Sequence, residues 1–485
     1  MHVLDFAILG SYFLAMLAVG FYFQRRQTSL DEYFVGGRSM SAGHIGLSVV
    51  ATDVGGGFSI GLGGLGFVMG LSASWLLFSG LVGAWITAVL VVPRVKTLGE
   101  IHSHRSFPDF LASRFGEPTR LVAAVVSAVG YAGFTGSQLL AGGKLASAAF
   151  DLDLTTAVLS MSVVIVVYTA LGGLQAVVYT DTLQWGVLFI GLIALGLPLG
   201  FSAAGGLEGL RESLPPEMLS LDNVTTLQFA TWMVTIVPIW FVAMTLYQRI
   251  HASRDVATAQ KAWFFAGLLE YPGMAFIGAA LGMFARVCYP TVDPEMGLPL
   301  LIRDVLPVGA TGLVLAAYFA AIMSTADSCL LASVGNLVDD IFGRFVAPAS
   351  SEKSLLVLSR VVTLAVGFGS VTFALYVPRV IDSILLAYSF MVAGLLFPTL
   401  GALFWRRVSG TAAFWSIVAG GSLTVFLAAA KIELPLDPVF YGLACSGMVL
   451  LCLTLIFPAP RNGGPREICP TPRHEWEVTK LDVPM

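Results

Sequence analysis

Ala320-Ala321-Ile322-Met323-Ser324-Thr325-Ala326-Asp327-Ser328 sits inside an apolar run from about Gly309 to Val334. An apolar stretch of about 20 residues reads as a membrane-crossing helix. Hydroxyls and a carboxylate are costly in lipid, so here they turn toward the protein interior or water and mark a polar ligand. Ala321, Ser324 and Thr325 stand at i, i+3 and i+4 and share one helix face. Carbonyl and hydroxyl oxygens together make a hard, weakly charged cage of the kind hard cations prefer, and Na⁺ is the natural occupant. The same hydroxyls are equally satisfied by bonding back to their own helix or by packing between helices. The choice rests on the rest of the chain.

That chain has 485 residues, of which 56% are hydrophobic and 12% charged. Ordinary soluble domains are far more charged. Apolar runs long enough to span recur throughout, which predicts an all-α polytopic membrane protein with about thirteen transmembrane helices. Of the 26 Lys and Arg, 20 fall on one side of this predicted topology or in the tail, Arg25, Arg26, Arg94, Lys96, Arg249 and Arg406 among them. The positive-inside rule then puts the N-terminus outside and the C-terminus in the cytoplasm, in a plasma (inner) membrane. The first apolar run lacks a preceding basic region and reads as an anchor, not a cleaved signal. Residues 1–460 form the transmembrane domain, with a core at about 41–405, and 461–485 form a short charged tail. The five cysteines are scattered and read as packing residues. No nucleotide-binding motif is present, and no nucleic-acid partner is expected.

Two apolar segments carry interruptions. Ala51-Thr52-Asp53-Val54-Gly55-Gly56-Gly57, in the second span, is poor material for a continuous helix. It suits a helix that unwinds and offers its backbone to a ligand, and Asp53 needs a partner there. In the seventh span, Pro238 is expected to break the ladder. Interrupted segments at corresponding places of two halves point to a transporter built from inverted repeats, with its site at the midplane. Gly172-Gly173 is expected to end one helix before Asp181, and His102 and His104 read as solvated loop residues.

These motifs, in this order, carry a family resemblance. Asp31-Glu32-Tyr33-Phe34-Val35-Gly36-Gly37-Arg38, the Ala51–Gly56 motif, Phe107-Pro108-Asp109-Phe110-Leu111, Gly172-Gly173-Leu174-Gln175 through Gln184, Tyr247-Gln248-Arg249 and Ala321–Ser328 together resemble the sodium:solute symporter family. The resemblance implies a LeuT-type fold of two inverted five-helix repeats. It implies a sodium site made by the carbonyls of Ala51, Val54 and Ala321 and the hydroxyls of Ser324 and Thr325. It also implies a candidate second cation position at Asp181, Ser324, Asp327 and Ser328. For the solute, Asp53 with Gly55 and Gly56 resembles the proline-transporter pattern and suits an amine. Phe58, Trp75, Gln138, Trp240 and Met244 are candidate pocket lining. Asp53 replaces a tryptophan of the choline branch, which argues against choline.

The expected activity is Na⁺-coupled import of a small organic solute, an amino acid such as proline or an amine, by alternating access across the bilayer. Na⁺ is the coupling ion, and no enzyme chemistry is expected. The rivals are a proton-coupled carrier relaying through Asp181 and Asp327, a solute-sensing receptor, and a channel. The single-site cage argues against the last.

Overall fold

The computed structural model describes residues 1–24, 30–430, 432 and 434–459; for residues 23, 24, 58, 59, 171, 172 and 175 it describes the backbone alone. The tail 461–485, Arg25 and Arg26 lie outside the described residues, as does the Phe58 side chain. Helices dominate, and the described residues contain no strand beyond an isolated bridge between Met40 and Ser253.

The helices that build the site run in chain order as α1 Val3–Gln24, α2 Ala42–Val54, α3 Gly56–Met69, α4 Trp75–Leu90, α5 Phe107–Phe115 and α6 Glu117–Phe150. They continue as α7 Leu154–Leu188, α8 Thr226–Val242, α9 Met244–Ala252, α10 Val256–Leu268, α11 Ala275–Cys288 and α12 Pro294–Val305. The last are α13 Ala310–Gly335, α14 Glu352–Tyr376, α15 Val380–Phe404, α16 Gly410–Ala430 and α17 Pro438–Ile456.

The hydroxyl-bearing helix α13 is the hub. It packs on α1, α2, α3, α6, α7 and α14. Of its apolar window 94% is buried, against 28% for α1, so α13 is a core helix and α1 a lipid-facing one. A helix surrounded by protein in this way can carry Ser324, Thr325, Asp327 and Ser328 without exposing them to lipid.

Among the described residues, ten helical segments are long and apolar enough to cross a bilayer, or eleven if the bent pair α8–α9 counts as one. The expected thirteen are not reached. Two of the expected spans fall short because they are broken: α2 ends at Gly55, and the apolar stretch Leu154–Ala170 is cut off by the kink at Gly173. Gly173 takes φ 61°, ψ 178°, a conformation essentially closed to other residues.

The interruption in the seventh span is displaced from the expected position. Pro238 lies inside α8, which continues to Val242. The ladder opens at Ala243, whose extended backbone (φ −70°, ψ 115°) bends α8 from α9 by 42°. A proline deprives one carbonyl of its partner, but neighbouring helices and local adjustments tolerate that inside a bundle. A further break, not expected from the sequence, separates α10 from α11. There Tyr271 is extended (φ −136°, ψ 124°) within the irregular turn Leu269–Met274.

Candidate functional site

Gly55 is the single-residue joint between α2 and α3. A Cβ on Gly55 would overlap the Thr325 side chain, and one on Gly56 would overlap Ile322. The glycines therefore serve both readings: they break the helix, and they let the break lie directly on α13. The consequence is a convergence of oxygens. Thr325 Oγ1 donates to the Ala51 carbonyl at 2.8 Å. Ser324 Oγ lies 3.3 Å from the same carbonyl and 2.9 Å from that of Ala321, and Thr325 Oγ1 lies 3.4 Å from Ala321 O. All four residues are buried. Val54 ends α2, where terminal carbonyls lack partners further along their own helix. Back-bonding to α13 and bridging to α2 coexist. The donor set is neutral oxygen throughout, with no thiolate or imidazole, which fits an alkali cation.

One turn along α13 the arrangement changes. Asp181, Asp327 and Ser328 do converge, but the guanidinium of Arg249 lies among them. Arg249 is fully buried on α9. Its Nη2 donates to Ser328 Oγ at 2.7 Å and sits 3.5 Å from Asp181 Oδ2. Its Nε donates to Ser48 Oγ at 2.9 Å, and Ser48 in turn donates to Asp181. Ser328 Oγ lies 3.3 Å from Asp327 Oδ1. The topology count treated Arg249 as a loop charge; it is an internal counter-ion. The basic residue at the end of an apolar run read as a flank, and only the bend at Ala243 turns it inward.

A model of the sodium:solute symporter family matches residues 33–420. The chain belongs to this family. It is a transporter that uses Na⁺ as coupling ion for a solute, not an enzyme. It is 27% identical to the high-affinity proline transporter PutP of Bacillus subtilis (strain 168), over 92% of this chain and 96% of that one. It is 26% identical to the osmoregulated proline transporter OpuE of the same organism, over 85% and 86%. It is 28% identical to the human sodium/myo-inositol cotransporter 2, over 86% and 68%. Among solved structures it is similar to a Na⁺-coupled sialic acid symporter in a substrate-bound outward-open state, with TM-score 0.78, 22% identity and coverage of 95% and 99%. It also resembles the nucleobase-cation-symport-1 transporter Mhp1 in a closed conformation, with TM-score 0.58, 15% identity and coverage of 87% and 93%. These likenesses show the LeuT-type fold.

In this symporter the remaining candidate positions divide. Asp53 is buried on the last turn of α2, with Oδ2 lacking a hydrogen-bond partner. Gln138 Oε1 accepts the Gly57 N–H at 2.9 Å and so ties α6 to the first turn of α3. Trp240 is buried with its indole Nε1 unpartnered, against Gly83 of α4. Trp75 is drawn outward: its Nε1 donates to Leu221 O at 2.8 Å, and its ring packs with Phe78, Phe229 and Tyr271. Met244 points toward α5, where its sulfur lies 3.2 Å from the Phe107 N–H. Neither Trp75 nor Met244 joins Asp53 in these contacts.

Sequence reasoning missed Glu270, which is buried at the α10–α11 break with both carboxylate oxygens unpartnered. An acidic residue inside an apolar run was the available signal. The histidine reading is corrected for His104 alone, since His102 is exposed. His104 is 5% exposed and stacks on His102, with the centroids 5.5 Å apart, because Arg38 Nη2 donates to the His104 carbonyl at 2.9 Å and draws the loop in. No cluster of three or more metal-type side chains occurs among the described residues.

Proposed function

We propose that this symporter carries Na⁺ at Ala51, Val54, Ala321, Ser324 and Thr325, and imports with it a small organic solute whose amine group is held at Asp53. The observation that carries this reading is the convergence of the Ser324 and Thr325 hydroxyls on the Ala51 carbonyl, across two different helices. A cation in that cage ties the joint of α2 and α3 to α13. It therefore favours one conformer of the bundle, and the solute binds beside the same joint. Two ligands that prefer the same conformer raise each other's affinity reciprocally. The membrane potential adds about 2.3 kcal/mol per charge for each 100 mV, enough to drive uphill uptake. The proline transporters among the relatives support an amino-acid or amine solute.

The lysine and arginine bias supports an N-terminus outside and a C-terminus in the cytoplasm of the plasma membrane. Residues 1–460 act as the transport domain and 461–485 as its tail.

The test is thermal stabilisation of the purified protein in NaCl against KCl at matched ionic strength, with a panel of amino acids, betaines, carboxylates and sugars. Na⁺ is expected to stabilise alone, and one amine-bearing solute to stabilise further only with Na⁺. Ser324→Ala combined with Thr325→Ala is expected to abolish the Na⁺ effect while expression persists. Undiminished Na⁺ stabilisation in that double variant removes the cage assignment. Solute stabilisation that follows pH but ignores Na⁺ replaces the reading with proton coupling.

A further inference from the structure

Among the described carboxylates, Glu270 alone has both oxygens buried without a hydrogen-bond partner. It stands one residue before the extended Tyr271, where the backbone departs from the helix between α10 and α11. Three elements close around it. Asp53 of α2 lies within hydrogen-bonding reach of Glu270 and of Tyr388 of α15. Gly80 of α4 forms a cradle, since a Cβ there would collide with Glu270 Oε1. Gly83, one turn along the same face of α4, receives the indole of Trp240, whose N–H is also unpartnered.

Among the described residues no lysine, arginine or histidine pairs with either carboxyl. The titratable groups that face the pair are Tyr388, which feels both carboxyls, and Cys329, which feels Asp53, and neither is a cation. Arg249 is committed to Asp181, Ser48 and Ser328. Two buried carboxyls facing each other without a cation are an expensive arrangement, and they make a site for positive charge. The chemistry narrows the ligand. A quaternary ammonium has no N–H and is held by ring faces. Here Asp53 Oδ2 and Glu270 Oε1 and Oε2 accept from no N–H or O–H group of the described residues, only the other carboxyl lying within reach, and they call for donors instead.

We propose that Asp53 and Glu270 together hold the protonated nitrogen of the solute, a primary or secondary ammonium with at least two N–H donors. Charge balances with a diammonium solute, or with one ammonium and a proton shared by the two carboxyls. The proposal rests on Asp53 being the solute's anchor, as above, and makes Glu270 the residue that sets its class.

The experiment titrates thermal stabilisation of the purified protein in NaCl with L-proline, pyrrolidine, putrescine and N,N-dimethyl-L-proline. The last shares proline's ring and carboxylate but lacks N–H. At least one of the first three is expected to stabilise, and the dimethylated compound is not. Glu270→Gln, nearly isosteric, is expected to weaken the effective probe by about tenfold or more, the loss of a charge-assisted hydrogen bond. Glu270→Asp restores part of it, Gly80→Ala weakens it by filling the cradle, and stabilisation by Na⁺ alone stays.

Stabilisation by the dimethyl derivative as strong as that by the effective N–H probe overturns the proposal. So does an unchanged response in Glu270→Gln, or silence from all three N–H probes. Loss of the Na⁺ effect itself in Glu270→Gln also overturns it, since the pair would then be a metal site. Solute binding that needs Glu270 but ignores Na⁺ defeats the symport reading and keeps this one. Na⁺ stabilisation without any ammonium response does the reverse.

Discussion

Arg249 holds a full positive charge among Asp181, Asp327 and Ser328, the groups that resemble a second cation position. A tethered guanidinium and a free cation compete for the same oxygens. Removing one partner of a buried pair leaves an uncompensated charge, at a cost of roughly 3–5 kcal/mol. In Arg249→Gln the two carboxylates therefore recruit another cation, and the Na⁺ dependence of thermal stabilisation is expected to steepen from one ion toward two. Arg249→Lys keeps the charge and the shallow dependence. A Na⁺ titration of both variants reads this directly, and identical slopes count against the counter-ion role. Ser324, Asp327 and Ser328 were legible as neighbours because i, i+3 and i+4 spacing on α13 is geometry, whereas Asp181 on α7 joined them only through the family resemblance. Arg249 was not, because its arrival depends on a bend in another helix.

The broken helices show the same division between local and long-range causes. Three glycines beside a buried carboxylate announced the break at Gly55, since glycine both weakens a helix and permits close approach. Gly172-Gly173 announced a kink, and Gly173 carries it at positive φ. Gly173→Ala is expected to cost about 1–3 kcal/mol by forcing a side chain into that conformation. The loss is to be read as a lower melting temperature of the purified protein, with Gly186→Ala, which has open space around it, as the control. An equal effect of both substitutions shows that the kink carries no strain. Pro238 misled because proline marks where a ladder loses one bond, not where the packed chain bends. The opening at Ala243 has no comparable local signature, but the break at Tyr271 had one that was passed over, since Pro272-Gly273 follows and a residue before proline is driven to extended backbone.

Two polar ties join separate parts of the whole bundle. On one, Lys144 of α6 meets Glu295 of α12 at 2.5 Å, and Glu295 accepts the Val380 N–H of α15 at 2.9 Å. On the other, Arg120 of α6 pairs with Asp109 of α5 and with Asp340 beyond α13, the latter at 3.1 Å. Burial alone would raise the Asp109 carboxyl, but Arg120 and the Arg105 N–H outweigh it and hold it below the usual range. Beside this tie, burial pushes His104 from 6.5 down to about 4, so it is neutral in the folded protein near pH 5. The unfolded chain binds that proton near pH 6.5, so stability falls as pH drops from about 6.5 to about 4, by up to ~3 kcal/mol. His104→Gln is expected to flatten the change in melting temperature over that window. A wild-type slope retained by the variant assigns the pH dependence to other groups.

Composition alone established a helical membrane protein, because so few charges leave no other solvent for the surface. The motif order established the family, and helical periodicity placed Ala321, Ser324 and Thr325 on one face, since both are properties of short stretches. Folding added what depends on distant segments meeting. It brought the Ala51 carbonyl onto Thr325, turned Arg249 inward beside Asp181 and Ser328, and set Glu270 opposite Asp53. The physical reason is burial. A carboxylate or guanidinium in an apolar run must find a partner, and which partner it finds is decided by how the helices pack.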